Sequence, residues 1–374
     1  MEPVSGSILL PHSQHKLNTA MQVITRGLDT IKQHKLRVGV ERTYTTRLFN
    51  SDETTHTYKY REPEIREYVF TGGRAISGSQ TGQYPGVVCG SDFHLGDFGK
   101  GNKLSRSKSP FWELLDPKHM GKQIELHIED KKTHTFTEPV NIIFNLGFYY
   151  HWFYEDLPLL TFMRNNNYKI ITNPLTAYQK ESLQNMPDIQ ARIVELPQPW
   201  IVEAPEMHVY TKPDSGQGAT GHWVAEFLRD TYKPRQARPH RRIYISRNSD
   251  SAARGVDNEA EVREFLEARG FEYFDSFARL SLQDKVDLLH ETSVAVSAAG
   301  SNLAHVYAMQ PNTRVIEFNH RFLTGVEHWY KSVGKVAQLD WTSCGMQTGS
   351  ASGRARLKNN NLIVDTELLG RAIG

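Results

Sequence analysis

Between Arg242 and Phe318 short β-branched runs alternate with amphipathic stretches, and this rhythm narrows the possible folds more than any other feature of the chain. RIYIS opens it as a strand, and the loop RNSDSAARGVD follows. Asn258, with Glu261 three residues on, is a capping-box signature for a helix that Gly270 stops. FEYF reads as the next strand, Ser281 with Asp284 caps the helix LQDKVDLLHET, and TSVAVS is a third strand. The small-residue loop SAAGSN then leads into a helix near 302–309 and the strand RVIEF. Strands separated by helices of about ten residues cannot pair as hairpins, so the spacing predicts a parallel, doubly wound α/β sheet.

A second set of such elements precedes it. VNIIFNL, KIIT, RIVEL and MHVYT read as strands, and LTAYQKESLQNM and GHWVAEFLRDTY as helices, with KPRQARPHRR as a linker. HWFYEDLPLLTFM predicts a helix that takes Pro158 in its first turn, the position where a missing N–H costs least. Farther upstream, Leu17, Met21, Ile24, Leu28 and Ile31 recur at helical spacing, which predicts one long amphipathic helix over 15–35. Residues 40–140 alternate in short runs such as REYVF and QIELHI and predict strands. The basic stretch DFHLGDFGKGNKLSRSKS (92–109) reads either as a solvated surface loop or as a loop for a partner or a lipid surface. A chain of 374 residues accommodates two domains at about 100–200 residues each. Two Rossmann-like units joined by a linker would face each other across a cleft.

Charge and cysteine usage exclude several classes. A formal net charge of +2 does not describe a protein that binds nucleic acid over its whole surface. Cys89 and Cys344 lie far apart, which is neither a disulfide framework nor a zinc site and fits a reducing compartment. The first thirty residues lack a basic region followed by an apolar one, and no apolar run approaches a bilayer span, so a cytoplasmic protein without a transmembrane segment is expected. No GxGxxG follows a strand, and there is no GxxxxGK[ST], GxSxG or Asp-x-Asp.

In an open parallel sheet, ligands bind beyond the carboxyl ends of the strands. There the second unit offers Arg247 and Arg254 on one loop and Gly300, Ser301 and Asn302 at a helix start, a set suited to a diphosphate. The same small residues also suit simple helix capping and packing. In the first unit, His151, Glu155 and Asp156 follow the strand VNIIFNL, with His151 and Glu155 on one helix face. A carboxylate there could take a proton from a hydroxyl, or both acids could merely complement the helix dipole. No third metal ligand of suitable spacing accompanies His151 and Glu155.

Three blocks together, FYYHWFYEDLPLL (148–160), RRIYISRNSDSAARGVDNEAEV (241–262) and VAVSAAGSNLAHVYAMQPNTRVIEF (294–318), resemble glycosyltransferase family 61. The resemblance covers roughly residues 140–320. It implies the GT-B arrangement of two Rossmann-like domains and inverting, metal-independent transfer from a nucleotide sugar to a glycan acceptor, with no cofactor. Residues 1–215 would then form the acceptor-side domain and 216–345 the donor domain, with 346–374 a tail packing back on the N-terminal domain. By resemblance, Arg247, Arg254, Asn258, Gly300, Ser301, Asn302 and Glu317 belong to the donor site. His151, Glu155 and Asp156 are the catalytic candidates, with Glu155 or else Asp156 as base. Many members carry a His in the small-residue loop where this chain has Ala299, and His305 one helical turn later is the candidate to take over a polar role. Polysaccharide assembly is the implied setting, with peripheral membrane contact open. A non-catalytic glycan-binding relative and another nucleotide-sugar enzyme such as an epimerase are the alternatives.

Overall fold

Three sheets carry the fold of the computed structural model, which describes residues 30–37, 41–49, 53–62, 65–72, 74–77, 86–89, 132–145, 147–197, 200–210, 212, 220–249, 255–320, 329–348 and 361–374. The alternation after Arg241 becomes an eight-stranded sheet. Its order is Glu272–Phe274, Arg241–Ile245, Thr292–Ala298, Arg314–His320, Asp340–Thr348, Glu41–Phe49 and Glu53–Arg61, with Leu362–Ile363 paired to Asp340–Thr348 off this path. The first six run parallel. Ile243, Ile245, Ala295, Val296, Val315 and Ile316 are fully buried, as central parallel strands must be when both faces are covered. Helices Glu259–Glu267 and Leu282–His290 lie where capping chemistry predicts, and Ser281 Oγ accepts a hydrogen bond from the Asp284 amide at 3.1 Å.

The upstream elements build a six-stranded sheet in the order Thr30–Arg37, Ile65–Thr71, Glu206–Tyr210, Val140–Ile143, Lys169–Thr172, Ile193–Glu195. Its last four strands are mutually parallel, and the first two join antiparallel. A four-stranded sheet, Gly86–Cys89, Arg74–Ser77, Trp200–Glu203, Lys132–Thr135, completes this half. The mixed α/β architecture with parallel sheets is therefore as read from sequence. One hydrophobic cluster joins the halves, with Phe153, Leu157 and Leu160 from the first and Leu303, Tyr307 and Trp341 from the second.

Four expectations change. Residues 30–37 are a strand and not the end of a helix: the neighbouring strand Ile65–Thr71 offers a backbone edge that outweighs local periodicity, while the rest of 15–35 lies outside the described residues. The helix carrying Pro158 begins at Tyr149, well before the proline. It runs α (Tyr149–His151), π (Trp152–Asp156), 3₁₀ (Leu157–Leu159) and α again (Leu160–Met163). The wide turn followed by a tight one absorbs a proline that has no N–H and would crowd the carbonyl one turn back. The expected helix after SAAGSN is 3₁₀ over Ser301–Ala308. The tail's helix, Thr366–Ile373, packs against the second half, with Val262 and Leu266, and not on the N-terminal side. Its preceding segment is stitched there: the Leu362 and Asp257 amides bond to Gly255 O and Leu362 O, and the Val364 amide to Asn258 Oδ1. The loop 92–109 and the run QIELHI lie outside the described residues.

Candidate active site

Tyr149, His151, Glu155 and Asp156 share the helical run that follows the strand Val140–Ile143. The chain enters this helix through a pinned turn. Gly147 has φ +71°, a left-handed conformation that favours glycine. Its amide donates to Asn145 Oδ1 at 2.7 Å, and Tyr178 Oη donates to its carbonyl at 2.8 Å. Asn145 is held in turn by Gln179 Nε2 at 2.7 Å.

One turn apart on the helix, His151 Nδ1 and Glu155 Oε1 are 2.5 Å apart. A carboxylate oxygen can only accept, so Nδ1 carries the proton and the lone pair of the neutral ring sits on Nε2. The π turn brings Asp156 beside Glu155, and both are buried. Lys212, equally buried, places Nζ 2.7 Å from Asp156 Oδ1 and 3.5 Å from Glu155 Oε2. Burial pushes the Asp156 carboxyl up to about 6, against the pull of Lys212. For Lys212, burial opposes the charge, but Asp156 and Glu155 outweigh it and hold the ammonium above its usual range. His151 follows the same logic. Burial works against the imidazolium, and the hydrogen bond and charge of Glu155 overcome it, so its pKa rises. Removing one member of such a buried set strands charge at a cost of roughly 3–5 kcal/mol.

Arg247 and Gly300 meet at the adjoining carboxyl ends of Arg241–Ile245 and Thr292–Ala298. A Cβ on Gly300 would fall 1.4 Å from Arg247 Nη1, so the guanidinium occupies the space that any other residue would fill. Asn302 Nδ2 donates to Ser246 O at 2.8 Å and ties the same two loops together. Asn248 pairs with Val256 through both amide atoms and closes the loop between them. Arg254, within that loop, lies outside the described residues. Ser301 begins the 3₁₀ helix and is half-buried.

The other sequence candidates have different surroundings. Asn258 donates to Val364 O and Glu261 Oε2 and accepts from the Val364 amide, so its side chain is spent on the tail. Glu317 is buried and accepts from Ser343 Oγ at 3.0 Å and Trp341 Nε1 at 3.3 Å. His305 is buried under Phe153, with Nε2 2.5 Å from Tyr149 Oη, and its Nδ1 has no hydrogen-bond partner among the described residues. Burial and then the charge of Lys285 keep its pKa well below the ordinary value. Tyr149 thus bridges the helix carrying His151 to the 3₁₀ helix beyond Gly300, and Tyr154 Oη does so again by donating to Ala304 O at 2.6 Å.

Sequence reasoning missed Lys212 and Tyr149. Lys212 sits two residues beyond Glu206–Tyr210, at a carboxyl end of a parallel strand, and that rule would have found it. Among the described residues, no group of three or more His, Cys, Asp or Glu could hold a metal ion, and no helix is long and apolar enough to cross a membrane.

A search of curated proteins gives no match to this sequence. Among solved structures, the chain is similar to the dodecameric iron-containing heptosyltransferase TibC in complex with ADP-D-beta-D-heptose, at 10% identity, over 92% of this chain and 88% of that one, with a TM-score of 0.32. The model of the family described as Glycosyltransferase 61 matches residues 149–316, a span that holds the His151–Glu155 pair, Arg247 and Gly300 alike. Over these residues the chain is similar to glycosyltransferase family 61.

Proposed function

We propose that this glycosyltransferase moves a sugar from a nucleotide sugar to a hydroxyl of a glycan acceptor, with inversion and without a divalent metal. The observation that carries the reading is the His151–Glu155 hydrogen bond inside the family span. An imidazole whose Nδ1 is held by a carboxylate is oriented to accept a proton at Nε2, so His151 is the general base and Glu155 positions it. This refines the sequence expectation, which gave the proton to Glu155 or Asp156. Lys212 lies against both Glu155 and Asp156 and balances their charge.

Arg247, packed on Gly300, is the cation for the leaving diphosphate, and the backbone from Gly300 to Asn302 lines the same site. In this reading, residues 1–215 form the acceptor side and 216–345 the donor side of a GT-B pair, with strands 41–61 lent to the donor sheet. An inverting displacement needs its base opposite the leaving group, and the first half supplies it.

A thermal-shift screen of UDP, GDP, CMP and their sugars identifies the donor, since a ligand of the native state raises Tm by mass action. Transfer from that donor should persist in excess EDTA. A strict metal requirement would contradict the mechanism, and conversion of the donor alone to an isomer would point instead to an epimerase.

A further inference from the structure

Six of the seven residues from Phe148 to Tyr154 are aromatic, and five of these six turn inward. Phe148 alone points out, at 60% exposure, and among the described residues only Ile363 is another exposed large hydrophobic. Its surroundings are built to hold it there. The preceding turn is fixed by the left-handed Gly147, by Asn145 Oδ1 and by Tyr178 Oη. The following turn is fixed by the hydrogen bond from the Trp152 amide to Phe148 O at 2.9 Å. A side chain left on such a rigid mount loses little freedom when something covers it.

Its neighbour says what that something is. The Phe148 and His151 ring centroids are 5.9 Å apart, tilted by 57°. A pyranose lying face-on against the exposed Phe148 ring, with its axial C–H groups on the aromatic face, would therefore have an edge hydroxyl beside the imidazole. We propose that Phe148 is the platform of an acceptor subsite that stacks on a sugar ring and delivers its hydroxyl to His151. The proposal rests on the reading of His151 as base, and it names the ligand class as a pyranoside with one unsubstituted apolar face.

Saturation-transfer NMR on the full chain tests it, with methyl glycosides of xylose, glucose, galactose and N-acetylglucosamine as probes. At least one should receive saturation at its ring C–H protons from the wild type and from Phe148→Trp. Phe148→Ala should weaken that glycoside about tenfold, the scale of one lost aromatic stack. Nucleoside-diphosphate affinity by calorimetry should stay unchanged, and because the side chain is exposed the variant keeps its fold, as thermal melting checks. Equal saturation in Phe148→Ala, or no glycoside saturated by the wild type, overturns the platform. His151→Ala separates the two readings: it should keep glycoside saturation while losing transfer. Wild-type transfer in that variant would overturn the base but leave a loss in Phe148→Ala standing as evidence for the sugar platform.

Discussion

A Cβ on Gly300 must push the Arg247 guanidinium aside, even though the extended backbone there, with φ 171°, suits any side chain. Gly300→Ala should therefore act through Arg247. Calorimetry with the nucleoside diphosphate should find about tenfold weaker binding in Gly300→Ala and in Arg247→Ala, and no further loss in the double variant. Additive losses would mean that Gly300 contributes by itself. Glu155→Gln tests the other half of the site. On the proposal that His151 is the base and works when neutral, transfer should rise with pH through a pKa above the ordinary 6.5 of histidine. Removing the carboxylate should lower kcat/KM about 10²–10⁴-fold and move the acid limb of the pH profile downward. An unmoved limb would separate His151 from the titration. Both pairs were legible as neighbours because His151–Glu155 share a helix face and Arg247–Gly300 follow adjacent strands. The position of Lys212 past a parallel strand was open to the same rule, but its pairing with two acids across a π turn was not, since nothing near it in sequence reveals that turn.

At the scale of elements, the capping box at Asn258 is present as a bond to Glu261, yet the same side chain also clamps the tail. Asn258→Ala should lower stability by about 1–3 kcal/mol in urea unfolding and leave nucleotide affinity intact. A lost affinity with unchanged stability would return Asn258 to the donor site. Local pattern was enough for the strands at Val140, Lys169, Ile193 and Glu206, for the four from Arg241 to His320 and for the capped helices, because their signals are carried by consecutive residues, but it passed over Trp200–Glu203. It failed for Thr30–Arg37, whose structure is set by pairing with Ile65–Thr71. It was also blind to the 3₁₀ geometry of Ser301–Ala308. That segment is buried at every residue but its first, and its end carbonyls at Tyr307 and Met309 accept from Arg229 at 2.6 and 2.9 Å, a partner on another helix.

For the whole molecule, the buried cluster sets a pH dependence of stability whose sign is fixed. Asp156 rises from 3.8 to about 6 on folding, so its contribution falls as pH climbs between those values. His151 is raised above 6.5, so its contribution is complete below that pH and lost as pH climbs through the folded value. Urea unfolding should therefore find a decline that starts at about pH 4 and continues past pH 6.5, flattening in Asp156→Asn and His151→Gln; an unchanged slope would place its origin elsewhere. The alternating second half was legible as a parallel sheet, but its extension by Glu41–Phe49 was not, because that strand's partner is nearly 300 residues away in sequence. This pairing also has a consequence in time. A ribosome releases the hairpin 41–61 nearly 300 residues before its partner Asp340–Thr348, and at about 5–20 residues per second the interval is about 15–60 s. Throughout that interval the inner edge of Glu41–Phe49 lacks its partner strand, an open template for wrong pairing that Asp340–Thr348 closes only once it has been made.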